Sequence, residues 1–284
     1  MQTYYSVLRP RMMDRISAGV LILLLFIMAQ SATSSGKDVR TLSHFSHFLN
    51  KEQKLNVYLP GTHGKHSVLY LLHGATGDYS NWVSKTDVAN IADRYDLIIV
   101  MPDGGPASWY ADSPIIPESQ YESYVVKELV PFIDSAFTTF ANREGRGLCG
   151  FSMGGYGAIM FGLKYPSVFS SASSLSGVLA IGRHPEKWSL GKVFGGMMEY
   201  PEHWKIADLS QLLLSCKDTV AIKFDTGIAD ITLEDNREFL AALQKAHWTF
   251  EYGEFPGGHS WAYWGGHIGE HLRFHNSILL HEAR

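Results

Sequence analysis

The sequence predicts an α/β domain with a mostly parallel central sheet and helices on both faces. Three observations carry this expectation. The runs Val68–Leu72, Leu97–Met101 and Gly147–Phe151 are continuously apolar, as strands covered on both faces are. Segments with apolar residues at helical spacing lie between such runs. No internal repeat or linker interrupts the alternation, so residues 38–284 read as one domain.

Taken in order, Thr41–Leu49 and Lys54–Leu59 read as short strands joined by a polar turn. Val68–Leu72 ends at His73-Gly74, and Tyr79–Arg94 carries Trp82, Val83, Val88, Ile91 and Ala92 at helical spacing. Leu97–Met101 is stopped by Pro102-Asp103-Gly104-Gly105, and four prolines within 102–117 mark a loop. Tyr121–Phe140 has a helical pattern in which Pro131 begins a new turn or a kink. A strand over Gly147–Phe151 leads directly into a helix over Gly154–Lys164, followed by a strand over Ser170–Ser176. Residues 177–215, rich in Gly, Trp and Met, form a candidate cap over a site. The chain then reads strand Val220–Asp225, helix Leu233–Ala246, strand Thr249–Tyr252 and helix Ala262–Leu280.

Composition narrows the function. The chain has 284 residues, 45% hydrophobic and 18% charged, which fits a packed domain rather than a disordered one. A net charge of −4 leaves no basic footprint for nucleic acid. Neither a G-x-x-x-x-G-K loop nor a dinucleotide-binding glycine loop is present, and no metal or organic cofactor is expected. The two cysteines, Cys149 and Cys216, exclude a disulfide-stapled scaffold and read as free, mostly buried thiols, with a disulfide the lesser reading.

Residues 1–31 read as a secretory leader. Arg9, Arg11 and Arg15 precede twelve residues without charge, Ala18–Ala29, and small residues follow at Ala29, Ser31, Ala32 and Ser34. That run is shorter than the roughly 20 residues of a membrane span. No stable membrane span is expected after cleavage, and the protein is expected to be secreted or periplasmic. Removal of 1–31 leaves 21 basic and 27 acidic residues, a net charge of −6.

Gly150-Phe151-Ser152-Met153-Gly154 is a G-x-S-x-G sequence between a strand and a helix. That context suits a sharp turn that projects the serine oxygen, with glycines where backbones approach closely. A nucleophilic serine needs a base, and the base needs an orienting acid. His259, in Pro256-Gly257-Gly258-His259-Ser260 after the last strand, is the leading base, and His247 is its rival at a helix end. Asp230 leads as the acid because it follows a strand in a loop. Asp225 is second, and Asp235 falls within the next helix. The backbone N–H groups of Met153 and Ala75 are the expected oxyanion donors, with Gly74 leaving room for the substrate carbonyl. His73 is expected to shape its loop by hydrogen bonding.

On these residues the chain resembles the esterase D group of α/β-hydrolases. The resemblance rests on His73-Gly74-Ala75, Gly-Phe-Ser-Met-Gly-Gly-Tyr-Gly-Ala at 150–158, Asp230 with Glu234-Asp235-Asn236, and Gly258-His259-Ser260-Trp261 through Trp264. It covers roughly residues 45–280. It implies an α/β-hydrolase fold, a triad of Ser152, Asp230 and His259, and an oxyanion hole from Ala75 and Met153. The group includes tributyrin esterases, S-formylglutathione hydrolases, feruloyl esterases and mycolyltransferases. Thr226-Gly227-Ile228-Ala229-Asp230 departs from many members, which carry an acidic residue before the aspartate. The leader speaks against an intracellular glutathione substrate.

The implied function is a secreted serine carboxylesterase acting on short-chain acyl or carbohydrate-linked esters. An acyltransferase and a non-catalytic binding protein are the alternatives. Trp109 and Tyr110, on the proline-rich loop, are candidate substrate platforms, equally readable as loop packing. Trp188, Trp204, Met197 and Met198 read as local core or as an acyl pocket under the cap. His267, His271 and His275 recur every four residues and read as a solvated helix face rather than a metal site. Oligomeric state is not legible.

Overall fold

The computed structural model describes residues 38–281. The leader read over residues 1–31 lies outside them. A hairpin of β1 (Asp38–Ser46) and β2 (Lys51–Leu59) precedes β3 (Ser67–Leu72). Helices α1 (Asn81–Lys85) and α2 (Val88–Ala92) lead to β4 (Leu97–Pro102). After a long loop come α3 (Tyr121–Ser123), a π-helical stretch over Tyr124–Leu129 and α4 (Val130–Ala136). Strand β5 (Arg146–Phe151), helix α5 (Met153–Lys164) and strand β6 (Ser171–Leu175) follow. Short helices α6 (Leu190–Phe194), α7 (Pro201–Ala207) and α8 (Leu209–Ser215) precede β7 (Ala221–Gly227). The chain closes with α9 (Leu233–Lys245), β8 (Phe250–Phe255) and α10 (Trp261–Ile278).

The strands form one sheet in the order β1-β2-β4-β3-β5-β6-β7-β8. Only β2 runs antiparallel to its neighbours, β1 and β4. The parallel register pairs Leu72 with Gly150, Phe151 with Leu175, Leu175 with Asp225 and Gly227 with Phe255. The loops after β3, β5, β7 and β8 therefore emerge at one edge. Strand order reverses at β3, and the crevice outside the strand ends at such a reversal is where open α/β sheets bind ligands.

Successive side chains of each strand feed opposite cores. Val68, Tyr70 and Leu72 pack with α5, α9 and the short helices of 190–215. Leu69 and Leu71 pack with Trp82 and with Trp264, Ile268 and Leu272 of α10.

Three elements depart from the sequence expectation. The first hairpin turns at 47–50, because Leu49 is buried there, its N–H bonded to Ser46 Oγ at 3.1 Å, and Asn50 takes φ 49°. The helix expected over Tyr79–Arg94 breaks at Thr86 (φ −138°, ψ 170°), whose hydroxyl bonds the Trp82 carbonyl and accepts from Val88 N–H in place of helix bonds. The helix expected over Tyr121–Phe140 ends at Ala136 and widens into π geometry just before Pro131. Pro131 offers no N–H to the preceding turn, and its ring crowds the carbonyl four residues back.

The last helix corrects a further expectation. His271 and His275 are fully buried, and only His267 on that face stays partly exposed. The reason lies in the strands beneath. Strand β6 presents Ser171 and Ser173, whose hydroxyls bond the two nitrogens of His275, each at 2.8 Å. Gly147 leaves the space, since a Cβ there would sit 2.8 Å from His275 Nδ1. His271 Nε2 donates to Asp225 Oδ2 at 2.9 Å. Both cysteines are free thiols; Cys149 is buried, which pushes its thiol up to about 12, and Cys216 is half-buried.

Burial, reinforced by His271 and Lys223, holds His275 well below the ordinary histidine value of 6.5. The unfolded chain therefore takes up a proton first as pH falls, and stability drops below about pH 6.5 by about 1.4 kcal/mol per pH unit for this group. Urea unfolding of wild type and His275→Gln between about pH 7 and pH 5 should give a shallower decline in the variant. Parallel declines would show that His275 does not titrate on unfolding.

Candidate active site

Ser152 sits between β5 and α5 at φ 55° and ψ −119°, a backbone state that side chains rarely occupy. Packing holds it there. A Cβ on Gly150 would lie 2.4 Å from the Gly154 carbonyl oxygen, and one on Gly154 would lie 2.5 Å from that of His73. The turn is tight enough to put the start of α5 directly on the end of β3. Ser152 N–H donates to the Leu175 carbonyl at 3.0 Å, tying the turn to β6.

Ser152 Oγ lies 2.9 Å from His259 Nε2, and His259 Nδ1 lies 2.9 Å from Asp230 Oδ1. With Asp230 ionised, Nδ1 carries the hydrogen and Nε2 is the acceptor for the serine hydroxyl. Asp230 has no exposed side-chain surface, and its Oδ1 also accepts from Thr232 N–H and Thr232 Oγ, each at 2.9 Å. Burial alone would raise its carboxyl. The His259 bond and charge, with Thr232 and the nearby Ser176 hydroxyl, outweigh burial and hold it below the usual carboxylate range.

The structure thus brings together the three residues that the sequence ranked first. The two rival acids are engaged elsewhere. Asp225 stays within β7, bonded to Tyr263 Oη at 3.0 Å and to His271. Asp235 pairs with His184 at 2.8 Å and with Arg183 at 3.1 Å. His247 follows α9 in left-handed backbone, φ 53°.

Ala75 borders a cleft of about 670 Å³ that also takes in Ser152 and His259. Met153 is the first residue of α5, where amides lack an intrahelical acceptor. The loop that carries Ala75 is fixed from behind. His73 Nδ1 donates to the Gly74 carbonyl at 2.8 Å, and its Nε2 accepts from Gly104 N–H at 2.8 Å. His73 is therefore a neutral strut, held below its ordinary range by burial.

Two of the three expected substrate contacts, Gly74 and Tyr110, are corrected. Gly74 does not line the cleft; a Cβ there would meet the Phe151 ring at 2.4 Å, so its small size serves packing. Tyr110 is fully buried, and its Oη donates to the His73 carbonyl at 3.1 Å and accepts from His73 N–H at 3.0 Å. Trp109 is almost fully buried in the fold and lines the cleft. Both take left-handed backbone, φ 56° and 54°. That turn drives their rings inward at a cost of about 1–2 kcal/mol each.

The 177–215 segment contributes Val178 and Trp188 to the cleft wall. Trp109 Nε1 donates to the Trp188 carbonyl at 3.1 Å, joining this segment to the proline-rich loop. Trp204 is core, bonded to the Gly195 carbonyl at 3.0 Å. Met197 lines a separate hollow with Trp204, and Met198 is 96% exposed.

Sequence reasoning missed several supports. Trp264 sets its edge against His259, ring centres 5.0 Å apart, and stacks on Phe151 at 4.2 Å. Trp261 packs on Phe151 at 4.6 Å and on Trp82 at 5.5 Å. Thr232 was findable, since Asp-x-Thr is a turn in which the aspartate binds the backbone two residues on.

The eight-stranded sheet, the strained serine turn and the Ser–His–Asp chain define an α/β-hydrolase. The chain belongs to the putative esterase family, whose family model matches residues 46–275. It is 32% identical over 236 residues to an esterase of Mycobacterium tuberculosis, covering 72% of this chain and 52% of that protein. The chain thus spans about half the length of that relative. It is 29% identical over 222 residues to an acetyl esterase of Caldicellulosiruptor saccharolyticus, covering 70% of this chain and 79% of the other. Among solved structures, an S-formylglutathione hydrolase from Agrobacterium tumefaciens superposes with a TM-score of 0.78 at 26% identity, over 88% of this chain and 98% of that one.

Gly154→Ala tests the packing of the turn. The added methyl meets the carbonyl oxygens of His73 at 2.5 Å and Leu72 at 2.6 Å, both backbone atoms. A loss of about 1–3 kcal/mol in urea unfolding is expected. Unchanged stability would mean that α5 is free to move off β3.

Proposed function

We propose that the protein is a serine carboxylesterase, exported from the cytoplasm, that cleaves short-chain acyl or carbohydrate-linked esters through an acyl-enzyme on Ser152. The observation that carries this reading is the hydrogen-bonded chain Ser152–His259–Asp230, both links 2.9 Å, opening on the cleft. The acetyl esterase among the relatives supports a small acyl group. The apolar run and small residues of 1–31 support export.

In this mechanism His259 takes the Ser152 proton as the oxygen attacks the ester carbonyl. The carbonyl oxygen, now negative, is held by the N–H groups of Ala75 and Met153 at the N-terminal end of α5. The protonated His259 is stabilised by the Asp230 carboxylate and passes its proton to the leaving alcohol. Water then enters, gives its proton to His259, attacks the acyl carbon and releases the acid and the free Ser152 hydroxyl. Asp230 keeps its charge throughout.

A ladder of p-nitrophenyl esters from acetate to dodecanoate, with methyl ferulate, tests the reading. Wild type should favour the short chains. Ser152→Ala should lose more than about a thousandfold in kcat. Asp230→Asn should lose about 10⁴-fold, because the amide permits the wrong His259 tautomer. Near-normal turnover by Ser152→Ala would sink the assignment. Acyl transfer to an added alcohol without hydrolysis would favour an acyltransferase.

A further inference from the structure

The cleft differs in charge from the rest of the chain. The protein carries 28 acidic residues and a net charge of −4. Yet no aspartate or glutamate is among the described residues that line the cleft around Ser152. Asp230, the carboxylate nearest the reacting serine, has no exposed side-chain surface and is occupied by His259 and Thr232. One full positive charge faces the space: Lys85, at the end of α1 and exposed to solvent, on the wall formed by Ala75, Thr76, Gly77 and Asn81.

Lys85 is not used by the fold. Among the described residues no carboxylate forms an ion pair with it, unlike Lys164, which is paired with Glu122 at 2.7 Å, and Lys223, paired with Glu251 at 2.9 Å. The acids next to it in the chain are engaged in local turns and do not line the cleft. Asp78 accepts from Ser80 N–H at 2.8 Å, from Ser80 Oγ at 2.6 Å and from Asn81 at 3.3 Å, and Asp87 is bonded by Asn90. Trp109, Trp188, Trp261 and Trp264 supply apolar walls. Such walls exclude water, and a charge beside them acts at longer range than it would on an open surface. The positive end of α5 at Ser152 adds to the same field.

From the charge and shape of this cleft we infer that it selects esters that carry a carboxylate, with Lys85 as the specificity-determining residue. The inference rests on the esterase reading and deepens it. The bond broken remains the ester bond. The carboxylate takes no part in the chemistry and lies at Lys85 while an apolar stretch of the substrate packs on the tryptophans. Two sources share this chemistry. The carboxylate can sit in the acid half, as in a half-ester of a dicarboxylic acid, or in the alcohol half, as in an acylated uronic sugar.

The test compares two matched pairs on the full protein. 4-Nitrophenyl hydrogen adipate is set against 4-nitrophenyl hexanoate, and acetylated glucuronic acid against acetylated glucose. The readout is the ratio of kcat/KM for the charged ester over the neutral one, so intrinsic reactivity cancels between protein variants. In at least one pair the ratio should fall about fivefold in Lys85→Met and be retained in Lys85→Arg. The wild-type ratio should also fall as NaCl rises from about 0.02 to about 0.5 M, as screening shortens the reach of the lysine charge. Whichever pair responds identifies the half of the substrate that carries the carboxylate. Turnover of all four esters with ratios unchanged in Lys85→Met would overturn the carboxylate site and leave the esterase reading standing. No turnover of any of the four by wild type would overturn the esterase reading and this inference with it.

Discussion

The strand-to-helix turn at Ser152 is the constraint on which the site depends. At φ 55° the serine is held in an uncommon backbone state between two glycines whose missing Cβ atoms let α5 touch β3 and β5 directly. That contact has two consequences. It aims Ser152 Oγ out of the sheet edge, toward His259. It also brings the first amide of α5 beside the loop that carries Ala75. A wider turn would separate the serine from both. The strain of the turn is offset by the sheet around it, since both the Ser152 N–H bond and the register of β5 on β6 tie the turn to β6.

A second layer of support lies behind the triad. Asp225 lies within β7, five residues before Asp230, and joins Tyr263 and His271 of α10. His275 is bonded to Ser171 and Ser173 of β6. These buried polar contacts fasten the last helix to the strands that end at the site. Tyr263 adds a direct link to the His259 loop, because its ring fills the space beside Gly257, where a Cβ would lie 2.6 Å away. The loop that carries the base is thus held on one side by Tyr263 and on the other by the Trp264–Phe151 stack. Buried polar groups are favourable only when paired, and here the serines of β6 and the Asp225 carboxylate provide the partners.

Most of the fold and the three residues of the hydrogen-bonded chain Ser152–His259–Asp230 were legible in the sequence. The aliphatic runs gave β3, β4 and β5 to within a residue, because strands buried on both faces have no polar positions to confuse the pattern. Ser152, Asp230 and His259 were readable because each sits in the loop after a strand, where chemistry is carried. What failed did so for local reasons. Positive φ at Tyr110 turned inward a ring that a loop would ordinarily expose. The serines of β6 and Asp225 of β7 received two histidines that look like a polar helix face. The Thr86 hydroxyl broke a helix that apolar spacing alone continued. Gly74 was read for its nearness to the reacting carbonyl, whereas its packing partner, Phe151, lies 77 residues away in the chain.

The central claim is that His259 makes Ser152 a nucleophile. The most direct measurement is covalent labelling with a fluorophosphonate, followed by peptide mass mapping of wild type and His259→Ala. A single adduct on the peptide containing Ser152 is expected in wild type, with labelling slowed by at least about a hundredfold in the variant. An adduct on a different serine, or equal labelling rates in the two proteins, would contradict it.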